Sequence, residues 1–285
     1  MKIEEITWAN SQFPEKLKKI PNPPKHIYYS GNRHLLTTPC LAIVGSRKGT
    51  EYGQKMANYF AQELGKYALT IVSGLAIGID AVAHEGALKE TGRTIAVLPS
   101  GINQIYPPEN KELARRIVQE DGLILSEYPP DEKAKQEYFL ARNRIVCGLS
   151  IGTLIIEGAI RSGTSVTAKL TKQQGKPIFC VPCSLDNPKG YTPNHLIQQG
   201  SFLVMKVEDI IQKFPNYHFQ KKKRKKVIEE KEHPILCWFT DSPIHINQLA
   251  EKTGKRVEEL SYPLMKLQLE GKIQELAGKN FIRKD

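Results

Sequence analysis

The sequence predicts an α/β protein: a Rossmann-like, doubly wound and mainly parallel sheet, followed by a small C-terminal winged-helix domain. Three observations carry this. Short apolar runs rich in β-branched residues alternate with segments whose apolar residues recur at helical spacing, which is the signature of strands buried on both faces of a parallel sheet. Most runs end on Gly, Ser or Pro, as strands do when they feed a turn and a helix. The composition then changes sharply after Phe214, where a lysine-rich stretch separates the main body from a tail with its own pattern.

The runs are CLAIVGS (40–46), LTIVSG (69–74), TIAVL (94–98), LILSE (123–127), GTLIIEG (152–158), IFCVP (178–182) and FLVM (202–205). EYGQKMANYFAQELGKY and AKLTKQQG are representative of the helical segments between them. Residues 1–39, with Pro14, Pro21, Pro23 and Pro24, read as an extended arm and short lead-in helix packed on the core. Residues 40–216 form the Rossmann-like domain, and 217–232, containing KKKRKK and EEKE, a solvated basic linker. Residues 233–285 are expected to run helix, helix, helix, hairpin. HPILCWFT is the first helix and NQLAEKTG the second, and Pro263 kinks the third or moves its start.

The formal net charge of +11 on 285 residues favours a polyanionic partner, nucleic acid before an anionic membrane surface. The surplus is +6 in residues 1–216, +4 in the linker and +1 in the tail, so the expected nucleic-acid footprint falls on the main domain. The tail's third helix carries Glu258, Glu259 and Glu270, which phosphates would disfavour. There is no apolar stretch long enough to span a bilayer and no signal-peptide pattern, so a cytoplasmic location is expected. Five scattered cysteines read as reduced thiols.

In doubly wound sheets ligands sit at the carboxyl ends of the strands. Gly45, Ser46 and Arg47 close the first run with a close backbone approach, a hydroxyl and a guanidinium suited to phosphate. Ser73 and Gly74 open a second anion-binding turn, in which Asp80 caps a helix or meets a ligand, and His84 is structural. Lys111 follows the rigid Tyr106-Pro107-Pro108 loop and stands in a first helical turn, against its local preference, as expected of a DNA contact. Arg142, Asn143 and Arg144 lie in one helical segment. The two arginines point about 200° apart, so one is expected to bind phosphate and the other to pair with a carboxylate. Ser162, Gly163 and Thr164 combine hydroxyls with a helix start.

Other patterns exclude activities. GSRKGT lacks the dinucleotide spacing and no P-loop occurs, so no nucleotide cofactor is expected. Cys180-Val-Pro-Cys183 precedes a turn, not a helix, and cannot complete a zinc site, so no metal is expected. No nucleophile, base and orienting group are recognisable together.

GSR (45–47), SGLAIGIDAVAHEGAL (73–88), TIAVLPSGINQIYP (94–107), SEYPP (126–130), FLARNRIVCGLS (139–150), SGTSVTA (162–168) and NPKGYTPNHLIQQGS (187–201) together resemble the DNA-processing protein A (DprA, or Smf) family, collinearly over about residues 10–214. The resemblance implies an extended Rossmann domain that forms a homodimer, binds single-stranded DNA in a basic pocket and loads RecA during recombination or natural transformation. It also carries the DNA-contact role to Arg47, Lys111 and the Arg142/Arg144 pair. The fold is related to lysine-decarboxylase-like phosphoribohydrolases, which leaves a nucleotide-processing enzyme as the alternative. Their motif has a glutamate where Thr167 stands here, which argues against hydrolysis, and Asp80 and Glu157 are the remaining carboxylate candidates. Ile77, Glu85, Pro99 and Cys183 depart from the family pattern, the first two by lowering positive charge near the pocket. Phe139 and Tyr106 are candidates for stacking on bases.

Overall fold

A computed structural model describes residues 2–217, 219, 235–240 and 242–284. The chain divides into two compact units, Met1–Lys223 and Arg224–Asp285. The basic run 221–226 and most of the expected linker lie outside the described residues.

The first unit is built on nine strands: β1 (Glu4–Thr7), β2 (His26–Gly31), β3 (Cys40–Val44), β4 (Thr70–Ser73), β5 (Thr94–Val97), β6 (Leu123–Ser126), β7 (Thr153–Ile155), β8 (Ile178–Cys180) and β9 (Phe202–Leu203). Their order is β1-β2-β6-β5-β4-β3-β7-β8-β9. From β6 to β9 all neighbours are parallel. The residues of β3 to β8 are buried throughout, as their continuous hydrophobicity requires.

The first four parallel strands march in one direction across the sheet, from β3 to β6. The chain then crosses back to place β7 on the other side of β3. Helices α2 (Glu51–Gly65), α3 (Ile79–Glu90) and α4 (Lys111–Gln119) connect the first four strands, and residues of all three pack with one side of the sheet through Phe60, Leu64, Ala83, Ala87 and Ile117. The crossover helix α5 (Gln136–Leu149), α6 (Gly163–Gln173) and α7 (Tyr191–Gln198) cover the opposite face through Ile145, Val146, Leu149, Ala168 and Leu196. The strand order therefore reverses between β3 and β7, whose exits turn to opposite faces and leave a crevice.

The N-terminal segment is more than the expected arm. β1 and β2 pair antiparallel, and β2 pairs antiparallel with β6, so the segment extends the sheet. It contains a short helix, α1 (Glu15–Lys18), whose Leu17 is fully buried. A further short helix, α8 (Glu208–Ile211), closes this unit.

In the second unit, β10 (Ile244–His245), α9 (Ile246–Thr253), α10 (Val257–Leu269), β11 (Ile273–Leu276) and β12 (Asn280–Arg283) enclose a core of Leu249, Leu260, Leu264, Leu267 and Phe281. The strands run β10-β12-β11. The sequence expectation fails for the first helix. Of HPILCWFT, the described residues show only a 3-10 turn at Leu236–Trp238, while 233 and 234 lie outside the described residues. Pro263 does not move the start of the third helix. Glu259 accepts from the Arg256 amide at 2.8 Å and fixes the start at Val257, and the helix continues through the proline. The carbonyl that Pro263 deprives of a donor belongs to exposed Glu259, where water can replace it.

Gly31 shows how tightly the N-terminal strands are joined to the sheet. Its φ is +108°, and a Cβ there would lie 2.3 Å from the Gly122 carbonyl oxygen. Gly31→Ala is expected to cost about 2–3 kcal/mol, read as a lower urea midpoint with an unchanged slope; an unchanged midpoint would show that the strand pairing is loose.

Candidate nucleic-acid interface

At the crevice between β3 and β7 lies a pocket of about 260 Å³. Its walls come from the β3 exit (Gly45, Ser46, Arg47), the β4 exit (Gly74, Ala76), Asp80 of α3, the Phe139–Val146 stretch of α5, and the start of α6 (Ser162, Gly163, Thr164). The two exits are interlocked. The Ile79 amide donates to the Ser46 carbonyl at 3.2 Å, and Gly78, at φ +85°, has no room for a Cβ against the Ser46 and Arg47 carbonyl oxygens, 2.5 Å away.

The floor is made by Arg142. This side chain is buried, and its Nη1 donates to the carbonyls of Gly74, at 2.6 Å, and of Val97. Its Nε donates to Asn143 Oδ1 at 3.2 Å. Asp80 sits beside it and accepts the Gly74 amide at 3.1 Å. Burial pushes the Arg142 guanidinium down to about 10, partly offset by Asp80, which leaves it charged at neutral pH. Burial also raises the Asp80 carboxyl above its usual range, opposed by Arg142 and by the Gly74 and Ala76 amides. A Cβ on Gly74 would meet the guanidinium at 2.3 Å, so glycine is required there for Arg142 to reach its acceptors. His84 is buried with Nδ1 2.7 Å from Thr94 Oγ1 and is pushed down to about 3 by burial, so it stays neutral inside the fold.

Above this floor the rim is open. Arg47 is exposed, with its Cζ 5.2 Å from the centroid of the Phe139 ring. Tyr106, also exposed, meets the same ring edge-on at 5.3 Å. A cation and two aromatic rings thus form one contiguous surface at the mouth. On the opposite side Ser162 caps α6 by accepting the Ser165 amide at 3.4 Å, and space beside Gly163 is open. The Gly163 and Thr164 amides of that first turn precede any carbonyl of the helix they could bond and are suited to an anion.

The structure brings Gly45, Ser46, Arg47, Gly74, Arg142, Asn143, Ser162, Gly163 and Thr164 to this one pocket, and leaves three predicted residues out. Ser73 is buried in β4, and its hydroxyl donates to the Ile43 carbonyl at 2.6 Å, so it stitches two strands together. Arg144 lies on the far side of α5, paired with Glu127, because two residues of helix turn it away from Arg142. Lys111 begins α4 at the same edge of the sheet, exposed but outside the pocket lining. Its neighbour Asn110 donates to the Leu75 carbonyl at 2.8 Å and ties that helix start to the β4 exit. Phe139 and Tyr106, the stacking candidates of the sequence, are brought into edge-on contact by the structure.

Of the two carboxylate candidates, Asp80 lines the pocket with an oxygen accepting the Gly74 amide, and Glu157 lies outside the lining. Glu157 is fully buried and accepts from the Thr50 amide (2.8 Å), the Thr50 hydroxyl (2.5 Å) and Asn187 Nδ2 (3.0 Å). Thr167 donates to the Gly163 carbonyl of its own helix at 3.1 Å.

Against this geometry the sequence and structure comparisons are specific. The family model for DNA recombination-mediator protein A matches residues 4–215, and that for the DprA winged helix domain matches residues 223–279. This chain belongs to the DNA recombination-mediator protein A family. It is 35% identical to Protein Smf of Escherichia coli over 95% of this chain and 75% of that protein. It is 38% identical to DNA processing protein DprA of Bacillus subtilis over 76% of this chain and 73% of that protein. Among solved structures it is similar to DNA processing protein A from Streptococcus pneumoniae, with TM-score 0.71 and 37% identity over 77% of this chain and 75% of that one. It is also similar to DNA processing protein A from Helicobacter pylori, a structure concerned with that protein's single-stranded DNA binding mode, with TM-score 0.67 and 34% identity over 75% of this chain and 98% of that one. Among the described residues no helix is long and apolar enough to cross a membrane.

The cysteine pair behaves as core. Burial pushes the Cys180 thiol up to about 12 and the Cys183 thiol up to about 11. The thiolate is the reactive form, so iodoacetamide at pH 8 should leave both intact in the folded protein, while all five cysteines react in denaturant. Rapid labelling of Cys183 in the native state, read by mass spectrometry, would restore a redox role.

Proposed function

We propose that this chain is a single-stranded DNA-binding recombination mediator and not an enzyme. It holds incoming strands at the β3/β7 crevice, protects them and loads a RecA-type recombinase on them. One observation carries the reading: an exposed cation on an aromatic ring, a buried guanidinium floor and a helix start share one rim. Such a rim suits a backbone phosphate and an unstacked base together, and a duplex, whose bases are stacked inward, offers only the first. The carboxylates a hydrolase would need are held in structural hydrogen bonds, which speaks against the nucleotide-processing alternative. A homodimer and a cytoplasmic location belong to the same reading, with Arg142 and Asn143 as the α5 contacts. Lys111 extends the footprint along the edge of the sheet, and Arg144 serves the fold.

The test is a fluorescence-anisotropy titration with labelled oligo-dT at two salt concentrations. Wild type should bind single strands in preference to duplex and lose affinity with salt. Arg47→Ala should weaken binding about tenfold and flatten the log–log salt dependence by about 0.7. Arg144→Ala should keep affinity within about twofold but lower stability by about 1–3 kcal/mol, because it strands Glu127. Equal affinity for duplex, or an Arg47→Ala chain that binds like wild type, would remove the proposal.

A further inference from the structure

The end of α5 opposite the crevice is buried, and its carbonyls need partners. Cys147 and Leu149 are inaccessible to solvent, and Ser150 beyond them is nearly so. A buried helix C-terminus leaves its final carbonyls without donors and concentrates partial negative charge. Two ammonium groups meet this need. Lys176 Nζ donates to the carbonyls of Cys147 at 2.6 Å and Gly148 at 3.0 Å. Lys16 Nζ donates to the carbonyls of Leu149 at 3.1 Å and Thr38 at 2.8 Å. Among the described residues neither lysine has a carboxylate partner; both ammonium groups meet the carbonyls of the helix end, and Lys16 also reaches the Thr38 carbonyl.

The two lysines reach this point from different directions. Lys176 precedes β8, and Lys16 belongs to α1 of the N-terminal segment. That segment lies directly on the last turn of α5: a Cβ on Gly148 would stand 2.8 Å from Leu17 Cδ2 and 2.9 Å from Ile20 Cγ2. Both lysines sit near the amino ends of β3 and β8, the length of a strand (about 15 Å) from the crevice, so a strand bound in the crevice does not reach them. Yet the helix they hold carries Phe139, Arg142 and Asn143 into the pocket.

We propose that Lys16 and Lys176 are positioning residues for DNA binding, paired ammonium groups that clamp the C-terminal end of α5 and so set the placement of its crevice residues. The inference rests on the function proposed above. It makes the N-terminal segment a working part of the DNA site.

The experiment uses the full chain with Lys16→Met, Lys176→Met and Lys176→Arg, each checked by thermal melting. Binding of oligo-dT should weaken roughly fivefold in the methionine variants, with a salt slope equal to that of wild type, and Lys176→Arg should recover most of the loss. A direct phosphate contact would instead reduce the slope by about 0.7 per lysine and overturn the proposal. So would wild-type affinity in a folded methionine variant. Where a methionine variant does not fold, Lys176→Gln, which keeps one donating amide, takes its place under the same criteria. Hydrogen exchange of the α5 amides without DNA separates this inference from the functional reading. Faster exchange over residues 139–149 in the variants supports the clamp even if wild type binds no DNA, and unchanged exchange refutes it.

Discussion

The architecture of the site depends on one buried guanidinium. β4 and β5 end on carbonyls that emerge at the edge of a sheet covered on both faces. Arg142 supplies donors to both, at Gly74 and Val97. A buried charge is tolerated only where its hydrogen bonds are made and a counter-charge stands near, and Asp80 provides the latter. The carboxylate in turn takes the Gly74 amide, and Gly74 has no side chain because the guanidinium occupies that space. Two strands, α3 and the crossover helix are tied at this point.

Function follows from what that tie leaves free. Arg142 Nε and Nη1 are committed to internal acceptors, which fixes the floor in place beneath the pocket. Above it the rim presents Arg47 on the Phe139 ring, Tyr106 against its edge, and the first turn of α6. On the proposed reading these groups meet phosphate charge and base surface. The crevice itself comes from strand order.

The sheet was legible because strands buried on both faces must be almost wholly apolar; of the seven runs that stood out, six are buried throughout, and the last forms the exposed edge strand β9. The crevice was legible for a related reason, since Gly, Ser and Thr at strand exits mark close backbone approaches. The angular separation of Arg142 and Arg144 was also readable, but not which one faced the pocket. That choice depends on Glu127, seventeen residues before Arg144 and brought to it only by the crossover. Ser73 misled because a hydroxyl at a strand end can stitch strands or meet a ligand, and the Ile43 carbonyl that settles it is distant in sequence. The N-terminal strands were hidden by prolines and by polar residues on an edge, where alternation is weak. The lysines at the end of α5 were invisible, since carbonyl partners leave no trace in side-chain patterns.

The most direct test is a crystal structure of the full chain with a short oligothymidylate. A backbone phosphate should lie within hydrogen-bonding distance of Arg47 and the first-turn amides of α6, with a base against Phe139 and the Arg142 bonds to Gly74 and Val97 unbroken. An oligonucleotide seated elsewhere, with the β3/β7 crevice empty, would contradict the account.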